Sequence, residues 1–282
     1  MRASAALRAA TCVLVSAFAV LTWQVVARGP LTGADLPVQG WVLHNGLDRS
    51  GPLWLALSGL GDVRVALPVV AVAAAVTWFR RRALRPLLLA AAGLAAFTVV
   101  LEVMKAAIGR SAPGTRNDAA FAGGAAFPSG HTFAATSIWG LAAWLAVLAA
   151  AGAASPAGGP DVAGRPGVSR YACLIAGGTA GLAPAVAMVR MDYHWVSDVA
   201  GGWLLGMIAL LAVLAAAESG RARTQPSGRL LRRNHRRPGR DAFMPEPPRP
   251  GRSSPYGCAS PATSRDRRAA GISPPRRAPA AR

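Results

Sequence analysis

Charge, lysine and cysteine are what this 282-residue sequence has little of. Only 15% of its residues are charged against 52% hydrophobic, and the mean hydropathy is +0.33. A soluble domain carries about 25% charged residues. The shortfall, together with apolar runs near the length that crosses a bilayer, excludes an ordinary soluble enzyme. The three cysteines, Cys12, Cys173 and Cys258, are too few and too far apart for a disulfide scaffold or a CxxC zinc site. Lysine is almost missing: Lys105 is the only one among 31 basic residues. A coding bias toward arginine explains the ratio but not the place where that lysine stands.

The net charge of +19 is uneven. Sixteen arginines fall between Arg221 and Arg282, opposed there only by Asp241, Glu246 and Asp266. From about Gly220 the chain is rich in Arg, Pro, Ser and Gly without apolar periodicity. Residues 219–282 therefore read as a disordered cytoplasmic tail. It is either solvated or in contact with anionic lipid, where each basic residue near the surface contributes about 1 kcal/mol. No nucleic-acid partner is expected.

Six apolar stretches are present, at about 9–26, 63–79, 87–108, 132–151, 171–189 and 195–217. They predict an all-α, six-span transmembrane bundle. Residues 1–27 hold the first transmembrane helix or signal anchor, with a cleaved signal peptide as the alternative. Residues 28–218 hold the other five spans. Residues 28–60 are less apolar, carry Gly, Pro and Asp turn signals, and include Trp41 and Trp54, which suit an interface. Arg2, Arg8, Arg80–Arg82, Arg85, Arg165, Arg170 and the basic tail all fall on one side of a six-span arrangement. The positive-inside rule makes that side cytoplasmic, and a multi-pass protein of the plasma membrane is expected.

Ionisable residues at membrane depth are rare and usually functional. Here they gather at the other, extracytoplasmic side. Glu102 and Lys105 share a face near the end of the third span, and Arg110 follows. Phe127-Pro128-Ser129-Gly130-His131 opens the fourth span. Ser129 can cap that helix, Gly130 lets a ligand approach the backbone, and the free N–H groups attract an anion such as phosphate. Arg190-Met-Asp-Tyr-His194-Trp-Val-Ser-Asp198 opens the sixth. His194 and Asp198 are four apart, so a helical segment would set the carboxylate against the imidazole and fix its tautomer. Asp192, nearer the loop, reads as solvated or capping. Two histidines, a carboxylate and several cations around a helix N-terminus form a phosphoryl-transfer constellation. With no cluster of carboxylates for a two-metal site, a metal-free mechanism without cofactor is expected.

These blocks resemble the three-part signature of the type-2 phosphatidic acid phosphatase superfamily: Lys105 to Pro113, Phe127-Pro128-Ser129-Gly130-His131, and Arg190 to Asp198. The resemblance covers roughly residues 50 to 215 and takes in Leu57 to Asp62 and Val199 to Gly202. It implies a six-span helical bundle that removes phosphate from lipid phosphates or pyrophosphates without metal. It further implies His194 as the nucleophile that becomes phosphohistidine, Asp198 as its orienting partner, and His131 as the acid for the leaving oxygen. Lys105, Ser129 and Gly130 would hold the phosphate. Two arginines of the pattern are absent: their positions are Ala112 and Met188. Arg110 and Arg190 stand two residues away, and a long bidentate guanidinium can reach the same oxygens from a shifted Cα. The expected activity is a lipid phosphatase acting on polyprenyl pyrophosphate, phosphatidylglycerol phosphate or phosphatidic acid. Transfer to an alcohol and a non-catalytic binding protein are the alternatives. A transporter is disfavoured, because the polar residues lie at one membrane face and not at the midplane.

Overall fold

A computed structural model describes residues 2–45, 51–113, 125–153 and 166–224. Among the described residues the chain is helical: α1 (Arg2–Ala27), α2 (Pro30–Gly33), α3 (Asp35–His44), α4 (Pro52–Gly59), α5 (Val63–Arg81), α6 (Arg85–Ile108), α7 (Gly130–Ala153), α8 (Pro166–Arg190) and α9 (Val196–Thr224). Six of these contain candidate membrane spans: Ala6–Ala27, Val63–Arg81, Arg85–Ile108, Gly130–Ala151, Arg170–Arg190 and Val196–Ser219. They coincide with the six apolar stretches to within a few residues. Most of the expected tail lies outside the described residues, and α9 carries on to Thr224.

The segment between the first two spans is more regular than its turn signals suggest. Pro30 and Pro52 open α2 and α4, since proline's fixed φ and missing N–H suit the first helical turn. Asp62 caps α5, its Oδ1 accepting the Arg64 N–H at 2.8 Å.

The bundle is centred on α7 and α9. Of their spans 67% is buried, against 11% for those of α1, α5 and α6. The outer helices turn Val13, Trp23, Val72, Phe79, Leu88 and Val99 outward, as the faces of a membrane bundle do. Leu141, Leu145, Leu210 and Leu211 fill the centre. Small residues bring the backbones together there. A Cβ on Gly181 of α8 would meet the Thr136 side chain, and one on Gly202 of α9 would overlap the Ser129 carbonyl. Gly202→Ala is therefore expected to cost roughly 1–3 kcal/mol by overpacking. Thermal unfolding in detergent, with Gly33→Ala as the control whose added Cβ meets nothing within 4 Å, checks this.

Candidate active site

The ends of four spans meet at one end of the bundle, and each is shaped locally to present a side chain. Helix α6 stops at Gly109, whose φ of +60° is left-handed and whose N–H returns to the Lys105 carbonyl at 3.0 Å. Glycine takes that conformation without steric cost. Arg110 follows, pinned by a bridge to Ala125 and by the Ala126 N–H on its carbonyl at 3.0 Å. Helix α7 starts at Gly130, with Ser129 before it fully buried. The Ser129 N–H donates to the Asp198 carbonyl at 3.0 Å, which ties the start of α7 to the start of α9.

His194 precedes α9 and is not part of it, yet the expected pairing is present. Its Nδ1 lies 3.5 Å from Asp198 Oδ2. Asp198 sits on the first turn of α9, and its Oδ2 also accepts the Trp195 N–H at 3.0 Å. The carboxylate therefore caps the helix and faces the imidazole at once. Both side chains are buried, His194 to 3% and Asp198 to 0% exposure.

Of the two arginines expected to replace those missing at Ala112 and Met188, the structure brings Arg110 to this pair and turns Arg190 elsewhere. Arg110 Nη1 donates to Asp198 Oδ1 at 2.6 Å and to Ser197 Oγ at 2.6 Å, and its Nη2 donates to Asp35 Oδ2 at 2.7 Å. The guanidinium also lies 5.9 Å from the centroid of the Trp195 ring. Arg190 Nη1 donates to the Val42 carbonyl at 2.9 Å. It lines a separate, apolar cavity of about 440 Å³ with Trp41 and Trp54. Asp192 is buried and not solvated: Gln39 of α3 donates to its Oδ1 at 2.5 Å. Gln39 of α3 covers it at this end of the bundle, which removes the residue from water.

Lys105, Gly130 and His131 stand apart from that cluster, on a groove. Its volume is about 960 Å³. One end holds Asp62, Arg64, Glu102, Lys105 and His131, and the rest is walled by residues such as Leu67, Leu94, Ala95, Leu101 and Ile138. A Cβ on Gly130 would come within 3.2 Å of Lys105 Nζ, so the lysine lies directly against the start of α7. Lys105 also contacts Glu102 Oε1 at 3.3 Å. His131 is within electrostatic reach of His194, Asp62 and Lys105, which joins groove and buried pair. Among the described residues no group of three or more His, Cys, Asp or Glu could hold a metal ion.

Asp35 is the residue that sequence reasoning missed. It is 4% exposed, and besides Arg110 it accepts the Ser197 N–H at 3.0 Å and the Ser197 hydroxyl at 2.5 Å. The one available signal was a carboxylate between Ala34 and Leu36 in a chain poor in charge.

The fold and the site thus define a multi-pass helical membrane protein with a buried His–Asp pair beside an amphipathic groove. Residues 83–220 match the family model of the PAP2 superfamily. The match supports a membrane lipid phosphatase. Among solved structures, the chain is similar to the first transmembrane PAP2 type phosphatidylglycerolphosphate phosphatase from Bacillus subtilis, at 20% identity and a TM-score of 0.58. That match covers 74% of this chain and 96% of the other; at this identity it shows the fold. No curated protein matches the sequence.

Proposed function

We propose that the protein hydrolyses a lipid phosphate or lipid pyrophosphate at the extracytoplasmic face of the plasma membrane, through a phosphohistidine and without metal. Polyprenyl pyrophosphate, phosphatidylglycerol phosphate and phosphatidic acid are the candidate substrates. The observation that carries this reading is the groove. A phosphate fits its charged end against Lys105, His131 and the N–H groups that open α7, and an apolar chain fits its wall.

His194 attacks phosphorus through Nε2, the nitrogen turned away from Asp198. The P–N bond forms as the P–O bond to the lipid breaks, and His131 gives its proton to the departing oxygen. His131 then accepts a proton from water, whose oxygen attacks phosphorus and breaks the P–N bond to release phosphate. Lys105, with Ser129 and Gly130 at the start of α7, offsets charge on the phosphoryl oxygens. Arg110 acts on Asp198 and not on phosphate in this reading. Arg190 donates to Val42 and is given no part in the chemistry. Orientation is supported by the arginines, since Arg80 to Arg82, Arg85 and Arg170 lie at the bundle end opposite the site.

Phosphate release from each of the three lipids by the purified protein in EDTA tests the proposal. Release from none of them sinks it, and a new phosphoester in place of inorganic phosphate would make the protein a transferase. The groove itself is tested by Ala95→Trp, which fills the apolar wall. Its kcat/KM on a long-chain lipid phosphate is expected to fall about tenfold or more, with p-nitrophenyl phosphate turned over within about twofold of the parent. Equal losses on both would place the lipid chain elsewhere.

A further inference from the structure

Asp35 lies outside the matched residues 83–220 and outside all three sequence blocks, yet three of the hydrogen bonds that hold the site end on its carboxylate. We propose that Asp35 is a positioning residue of the phosphatase reaction: it clamps Arg110 and Ser197 so that Asp198 presents both its Oδ2 edge and a net negative charge to His194. The proposal rests on the phosphatase reading above.

The charges carry the argument. Arg110 Nη1 is 2.6 Å from Asp198 Oδ1. Alone, that ion pair is neutral, and His194 would face a dipole. Asp35 places a second carboxylate on the same guanidinium, 2.7 Å from Nη2. The trio of Asp35, Arg110 and Asp198 then carries one net negative charge. Its side chains are 5%, 17% and 0% exposed, so water screens that charge little. The charge matters when His194 reacts. As Nε2 gives its electron pair to phosphorus while Nδ1 keeps its proton, the ring becomes cationic, and a net anion beside it lowers the barrier without touching the substrate.

The hydrogen bonds fix the geometry as firmly as the charge. Asp35 Oδ1 accepts the Ser197 N–H at 3.0 Å, one of the donors that the first turn of α9 leaves without an intrahelical partner. The Ser197 hydroxyl donates to Asp35 Oδ2 at 2.5 Å and accepts from Arg110 Nη1 at 2.6 Å. Arg110 cannot swing toward a substrate phosphate without breaking two ion pairs. Helix α3, which begins at Asp35, is thereby fastened to the start of α9.

The test compares Asp35→Asn, Arg110→Gln and the double variant with the parent, on whichever of the three lipids the parent turns over. Asp35→Asn is expected to lower kcat about 10- to 100-fold with KM within about threefold. Arg110→Gln leaves two carboxylates facing each other uncompensated. Adding Asp35→Asn removes one of them, so the double variant should have a higher kcat than Arg110→Gln alone. A kcat within twofold of the parent in Asp35→Asn overturns the proposal, as does a loss confined to KM. So does a double variant whose loss is the product of the single losses, which is how two independent structural ties behave. If Asp35→Asn does not fold by its melting profile, Asp35→Glu serves instead. It keeps the charge but shifts the carboxylate by a methylene, so kcat should fall with KM kept, and an unchanged kcat overturns the proposal. A parent that releases phosphate from none of the lipids brings down the phosphatase reading and this proposal with it.

Discussion

His194→Ala is expected to reduce phosphate release by a factor on the order of 10³ or more, equivalent to about 4 kcal/mol of lost transition-state stabilisation. The size follows from the proposed role. Without the imidazole no covalent intermediate forms, and water would have to attack phosphorus directly in a site built for Nε2. The fold should survive. His194 is 2% exposed, so truncation leaves a small cavity, but Asp198 keeps the Arg110 ion pair and the Trp195 N–H. Asp35 likewise keeps its ion pair to Arg110, so no buried carboxylate loses its cationic partner, which is the outcome that would unfold the bundle. A melting profile in detergent close to that of the parent, beside absent turnover, is the expected pair of results. Substrate labelled in its phosphate should also leave label on the parent when the reaction is quenched in base, and none on the variant. Turnover within tenfold of the parent would remove His194 from the nucleophile's place.

The spans were legible because their signal is long. Apolar runs of about twenty residues have one low-energy solution in a bilayer, and the arginine clusters mark their ends. Histidines and small polar residues at helix starts were legible for a related reason: Ser129-Gly130-His131 and Trp195 to Asp198 combine capping chemistry with side chains that a membrane domain does not carry idly. What the sequence could not give is which arginine turns inward. Arg110 and Arg190 are each two residues from the family position, and sequence distance treats them alike. The difference is tertiary. Gly109 and the bridge to Ala125 aim Arg110 at α9, whereas Arg190 ends α8 beside the carbonyl of Val42. Asp35 was hidden for the same reason. Its partners are 75 and 162 residues away, and α3 has neither motif nor strong periodicity to announce them. The short helices between the first two spans also have no long apolar run, so their prolines and glycines read as turns. In the structure those prolines open helices, and Asp35 and Gln39 of α3 reach Arg110, Ser197 and Asp192.

His131→Ala separates the two chemical steps, because the leaving oxygen decides whether an acid is needed. A lipid alkoxide is a poor leaving group, and its departure without a proton from His131 should slow turnover of a lipid phosphate about 10²- to 10⁴-fold. A nitrophenolate leaves without help. With p-nitrophenyl phosphate the variant should still phosphorylate His194 rapidly and release one nitrophenolate per protein molecule in a burst. Steady turnover should then be slow, because the second step needs His131 to take a proton from water. The placement of the two histidines supports this division. His131 lines the groove beside Lys105, where the departing oxygen would lie, whereas His194 is buried against Asp198 with its reactive nitrogen on the opposite edge of the ring. Stopped-flow absorbance reads the burst directly. If the variant gave no burst, and the lipid phosphate and the nitrophenyl ester were slowed alike from the first turnover, His131 would be holding the phosphate and not supplying the proton.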